Sequence, residues 1–117
     1  MQALPASLTK LSKLSLLLLA QCSLLTSLPG DFSCLTSLEW LDLFGCSSLE
    51  VLPTDLGNLT RLLELDLSDC ASLREVPESI SGLSQLVRLE LGFCKNLRQL
   101  PDGIGHLGSL VELDLQW

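Results

Sequence analysis

The 117 residues are one domain's worth of chain, and a composition that is 47% hydrophobic and 18% charged excludes a disordered tail. A net charge of −7 argues against a nucleic-acid partner, because phosphate recognition needs basic surface. One His and no Tyr leave little for general acid–base catalysis, so the chain reads as a non-enzyme with no cofactor.

Leucine fills 34 of the 117 positions, about 29%, so one residue type builds the core. Its placement is periodic. Pro5, Pro29, Pro53, Pro77 and Pro101 are 24 residues apart, as are Cys22, Cys46, Cys70 and Cys94. Leucine columns keep the same step without an insertion: Leu14 to Leu110, Leu17 to Leu113 and Leu19 to Leu115. A repeat of this length is the mark of a stacked array.

In chain order the predicted elements begin with a partial unit, residues 1–13, carrying the tail Leu4-Pro5 and then Leu8 and Leu11. Units 14–37, 38–61, 62–85 and 86–109 follow, and a final strand occupies 110–117. Each unit opens on a piece that alternates with period two, Leu41-Asp42-Leu43 for example, and predicts a short strand with one buried face. Proline then ends extended pairing. Apolar residues three and six positions later, Leu56 and Leu59 after Pro53, fit a tight turn or 3₁₀ segment. Gly57, Gly82 and Gly105 are read as the points where that segment bends sharply. One strand and one turn per unit give a coil. Stacked coils give a parallel sheet of about five strands on the concave side, with the bulkier turns on the convex side. A single unit buries too little to stand alone; stacking covers both its flanks.

Residues 10–28, KLSKLSLLLLAQCSLLTSL, imitate a secretory signal peptide. They also keep the repeat phase at Leu14, Leu17, Leu19, Cys22, Leu25, Leu28 and Pro29, which reads them as the first complete repeat. Gln21, Ser23, Thr26 and Ser27 interrupt the run, so no membrane span is expected. The start within a unit and the stop on a strand predict a piece of a longer array, with apolar flanks that self-associate.

The cysteine column forms a structural ladder of buried, reduced thiols, small apolar groups that also donate to turn carbonyls. Cys34 stands apart. No C-x-x-C spacing is present, so no metal is expected, and free thiols favour a reducing, intracellular compartment. His106 has no nucleophile partner written around it. Asn58-Leu59-Thr60 is a glycosylation sequon, a triplet common by chance.

The informative surface is the outward side of the strands. One column reads Leu16, Trp40, Glu64, Arg88, Glu112, and the next reads Leu18, Asp42, Asp66, Glu90, Asp114. Two more read Ala20, Phe44, Ser68, Gly92, Gln116 and Gln21, Gly45, Asp69, Phe93, Trp117. Seven acids and one base, Arg88, stand there beside Trp40, Phe44 and Phe93. Exposed aromatics among charges mark a recognition surface. The protein-binding candidates are therefore Trp40, Asp42, Phe44, Glu64, Asp66, Arg88, Glu90, Phe93, Glu112 and Asp114, facing a partner with a basic surface.

The unit L-x-x-L-x-L-x-x-C-x-x-L-x-x-L-P over essentially the whole chain resembles a leucine-rich repeat. That resemblance implies an α/β-type solenoid, a right-handed coil with a concave parallel sheet and convex turn or 3₁₀ segments. The 24-residue step, the ladder cysteine, and the stretches LDLFGCSSLEVLPTDLGNL (41–59) and LDLSDCASLREVP (65–77) are similar to plant intracellular nucleotide-binding leucine-rich-repeat immune receptors of the disease-resistance type. Extracellular plant repeats usually have Asn at the ladder and a Gly-x-Ile-Pro tail, absent here, and bacterial repeat ubiquitin ligases have a shorter unit. What the resemblance implies is a ligand-sensing or autoinhibitory protein-binding module in cytoplasmic innate-immune signal transduction, with its nucleotide site outside this chain. Two alternatives are a secreted inhibitor or receptor ectodomain, and the substrate-recognition repeats of a ubiquitin ligase.

Overall fold

A computed structural model describes residues 2–116. Five three-residue strands lie in chain order in one parallel sheet: β1 (Leu16–Leu18), β2 (Trp40–Asp42), β3 (Glu64–Asp66), β4 (Arg88–Glu90) and β5 (Glu112–Asp114). The pairing register is the sequence period itself, Leu17 to Leu41 to Leu65 to Leu89 to Leu113. Hydrogen bonds continue past the strands: the N–H of Leu19, Leu43, Leu67 and Leu91 each reaches the next coil's carbonyl at Asp42, Asp66, Glu90 and Asp114, all at 2.8 Å.

The opposite side of the stack carries five 3₁₀ turns, η1 (Ala6–Lys10), η2 (Phe32–Cys34), η3 (Leu56–Asn58), η4 (Glu78–Gly82) and η5 (Asp102–His106). The proline column starts all of them. Each proline carbonyl accepts the N–H three residues on, from Leu8, Phe32, Leu56, Ile80 and Ile104, at 3.0–3.1 Å. Proline gives up no bond there, since its missing N–H is not needed in the first turn.

Between sheet and turns the leucine columns interlock. Leu38, Leu41, Leu43, Leu49, Leu56, Leu59 and their equivalents one unit later are buried, as are Phe32 and Ile80. Segment 10–28 belongs to this body: it supplies β1, and Leu19, Leu25 and Leu28 join the core. Burial fades at the C-terminal flank. Leu113 is 40% exposed where its column mate Leu89 is 0%, because no described coil covers it.

Two details depart from the expectations above. Gly57 does not serve a sharp bend. A Cβ there would sit 1.8 Å from the carbonyl oxygen of Ser79, so glycine is needed for η3 and η4 to approach. A Cβ on Gly82 would lie 2.8 Å from the Gly57 carbonyl, whereas Gly105 has open space around it. The left-handed position is elsewhere, immediately before each ladder cysteine: Gln21 (φ 66), Gly45 (φ 70), Asp69 (φ 58) and Phe93 (φ 59). Only one of the four is glycine, and a bulky side chain such as Phe93 is strained in that conformation.

Candidate functional site on the strand face

The inward leucine of each strand anchors it, so its two neighbours point outward by the strand alternation. The register turns these neighbours into two rows across the sheet, Leu16-Trp40-Glu64-Arg88-Glu112 and Leu18-Asp42-Asp66-Glu90-Asp114. The structure therefore brings together eight of the sequence-derived candidates: Trp40, Asp42, Glu64, Asp66, Arg88, Glu90, Glu112 and Asp114. Phe44 and Phe93 lie beyond their strands. Phe44 is half-buried in the turn, and Phe93, although exposed, sits at the left-handed turn position. Trp117 lies outside the described residues.

The rows change character along the stack. Over β1 and β2 the exposed side chains are apolar, with half-buried Asp42 beside them: Leu18 is 60% exposed, Leu16 46% and Trp40 45%. Leu16 and Leu18 belong to this candidate face, although charge and aromaticity do not single them out. Their signal is the run Leu16 to Leu19, in which only Leu17 and Leu19 have the inward phase. Trp40 stands between two clefts. One of about 190 Å³ is lined by Ser15, Leu16, Glu39, Leu63 and Glu64. The other, of about 60 Å³, is lined by Asp42, Glu64, Asp66, Arg88 and Glu90.

Over β3 to β5 the rows are ionic. Arg88 Nε donates to Glu112 Oε2 at 2.9 Å, and its Nη1 lies 3.9 Å from Glu64 Oε2. Glu112 first, then Glu64, holds the guanidinium pKa above its ordinary value. The first row is thereby partly neutralised. In the second row Asp42, Asp66 and Asp114 each accept the backbone N–H two residues on, from Phe44, Ser68 and Gln116, at 2.9–3.0 Å. These acids hold the turn after the strand, and each does so through one oxygen, Oδ1. Glu90 breaks the series. Burial first, then its neighbour Asp66, pushes its carboxyl above the usual range.

The ladder cysteines bind coil to coil. The thiols of Cys46, Cys70 and Cys94 are buried and donate to the carbonyls of Leu19, Leu43 and Leu67 at 3.2, 3.2 and 3.0 Å. Burial raises all three thiol pKa values. Cys22, in the first coil, is only half-buried, and Cys34 is exposed. A second ladder on the turn side escaped the sequence reading: Thr9 Oγ1 donates to Asp31 and Ser33 Oγ to Asp55, at 2.9 and 2.8 Å. Its signal is a hydroxyl and an aspartate 22 positions apart, two short of the repeat.

His106 and Asn58 are both exposed. Among the described residues no group of three His, Cys, Asp or Glu has a metal-binding arrangement, and no helix is long and apolar enough to cross a membrane.

A parallel sheet closed coil by coil through proline-started turns defines a leucine-rich repeat solenoid. The leucine-rich repeat family model matches residues 37–59 and 61–83. Among solved structures, the leucine-rich repeat domain of the type III effector XopL aligns over 97% of this chain with 36% identity and a TM-score of 0.85. The Arabidopsis receptor kinase HAESA, in complex with the peptide hormone IDA and the co-receptor SERK1, aligns over 96% with 28% identity and a TM-score of 0.70. The HAESA ectodomain with an N-terminally extended IDA peptide aligns over 96% with 31% identity and a TM-score of 0.73. The chain spans 38% of the effector repeat chain and 19% of each HAESA chain. No curated protein sequence matches it.

Proposed function

We propose that the chain is a protein-recognition module that reads a polypeptide on its strand face, as the ligand-sensing or autoinhibitory repeats of a plant intracellular immune receptor. The observation that carries recognition is the open strip Leu16, Leu18 and Trp40 beside the carboxylates of β3 and β4. A core-forming repeat has no internal use for these side chains, and exposed apolar surface rimmed by charge is how docking sites are built. Free cysteines, three of them buried and Cys34 exposed, support a reducing compartment. The LDL strands, the ladder cysteine and the LP tail support the immune-receptor reading.

The experiment is to pan a random 12-residue peptide display library on the folded 117-residue chain. Binders are then compared on Trp40→Ala and on Glu78→Lys/Asp102→Lys, a pair in the first turns of η4 and η5. Loss of most binders with Trp40→Ala alone is expected. Equal loss on both variants, or on neither, refutes recognition by the strand face.

A secreted receptor ectodomain is the second reading, favoured by the exposed sequon asparagine Asn58 and by the likeness to HAESA. A glycan at Asn58 after expression through the secretory route would decide for it. The exposed flank leucines Leu11, Leu113 and Leu115 also support self-association of the 117-residue chain. Sedimentation at tens of micromolar is expected to show oligomers, and a dispersed monomer contradicts this.

A further inference from the structure

Recognition by the strand face, on which this inference rests, leaves open what kind of segment fits. The sheet is hydrogen-bonded strand to strand, so its face offers no backbone groups to a docking β-strand. A segment that keeps its own backbone solvated and binds through its side chains suits such a face. Polyproline II does this: its backbone makes no internal hydrogen bonds, and it presents every third residue on one side.

The spacing agrees. Leu18 on β1 and Asp66 on β3 lie two strands apart in one row, and Trp40 on β2 and Glu90 on β4 are likewise two strands apart. Two strand spacings are about 9.6 Å. Three polyproline II residues advance about 9.3 Å. An extended β segment repeats on one face every ~6.6 Å, which matches neither one spacing nor two.

Charge fixes the direction of the pattern. Trp40, Asp66 and Glu90 line the same cleft. Arg88 lines it too, but its guanidinium is held by Glu112 and Glu64. Asp66 spends Oδ1 on Ser68, and Glu90, its register partner on β4, lines the same cleft and is crowded by it. A cation set between the two relieves their repulsion and meets two acceptors at once.

We propose that the occupant is a partner segment in polyproline II conformation running across the strands, with an apolar residue on the Leu16, Leu18 and Trp40 strip and a Lys or Arg three residues later between Asp66 and Glu90. Its test uses two synthetic hexapeptides, Gly-Leu-Pro-Pro-Arg-Gly and the spacing control Gly-Leu-Pro-Arg-Pro-Gly. Each is titrated into the 117-residue chain and followed by chemical shifts of the Trp40 indole N–H. At least tenfold tighter binding of the first peptide is expected. That preference should vanish in Asp66→Asn/Glu90→Gln, where the amide oxygen introduced at position 66 still accepts the Ser68 N–H. Glu90→Gln alone should reduce it, which guards against a double variant that fails to fold. Equal affinity for both spacings, binding of neither, or a preference that survives neutralisation overturns the inference. If the display binders still depend on Trp40 while the spacing preference is absent, recognition by this face stands and only the segment's form is wrong.

Discussion

The strand face over β1 and β2 and the same face over β3 to β5 have one backbone and two chemistries. Leu17, Leu41, Leu65 and Leu89 occupy equivalent inward positions in both. Outward, Leu16, Leu18 and Trp40 give way to Glu64, Asp66, Arg88 and Glu90 without a change of register. The freedom to vary lies outward. The inward columns, the proline carbonyls and the thiol ladder carry the fold, and the outward rows are free to vary wherever, unlike Asp42, Asp66 and Asp114, they do not hold the following turn.

The sharpest way to break this division is to exchange weight between columns. Leu65→Ala, in the buried column, is expected to cost about 2–5 kcal/mol in urea unfolding. Leu18→Ser, in the outward row of the apolar half, should stay within about 0.5 kcal/mol. Comparable losses would mean that the outward leucines are structural. Cys70→Ala is next, at about 1–2 kcal/mol, because packing is lost and the Leu43 carbonyl keeps only the Cys46 N–H of its two donors. An unchanged denaturation midpoint would remove the ladder from the stabilising elements. Phe93→Gly should be stabilising by about 1 kcal/mol, since glycine adopts the left-handed turn without the steric cost. A destabilised variant would show that the Phe93 ring packs more than its 50% exposure indicates.

The smallest effect sharpens the ionic half. Glu90 is raised by burial, then by Asp66, while Arg88 lowers it and Glu112 adds to the rise. The native state therefore holds this proton more tightly than the unfolded chain. Its destabilising contribution is absent below the ordinary Glu pKa, grows as pH rises toward the native value, and is complete above it. Glu90→Gln should be slightly more stable than the parent at pH 7, with the gap closing near pH ~4, the ordinary Glu range. A gap that widens on acidification would contradict the burial and crowding at this site.

The period made much of this legible. A leucine every 24 residues can be buried in every coil only if the coils stack in register, so sheet order and pairing follow from Leu17, Leu41 and Leu65 alone. Choices between neighbouring coils left weaker marks. Asp42, Asp66 and Asp114 look like free carboxylates in sequence, and only the turn geometry shows their Oδ1 atoms holding N–H groups. Gly57 reads as a bend because a glycine required by a neighbour's carbonyl looks the same as one required by its own φ. Gln21, Asp69 and Phe93 conceal the left-handed position that a glycine column would have announced.

The thiol ladder also equips the molecule with a set of internal clocks. Alkylation needs a thiolate that can be reached, and burial denies Cys46, Cys70 and Cys94 both conditions. Each becomes reachable when its own coil parts from its neighbours, among them the preceding coil whose carbonyl it binds. Cys34 is open from the start and Cys22 half-open. The order in which Cys46, Cys70 and Cys94 are then consumed records the order in which their coils separate, and it converts a static column of side chains into a readout of how the array unzips.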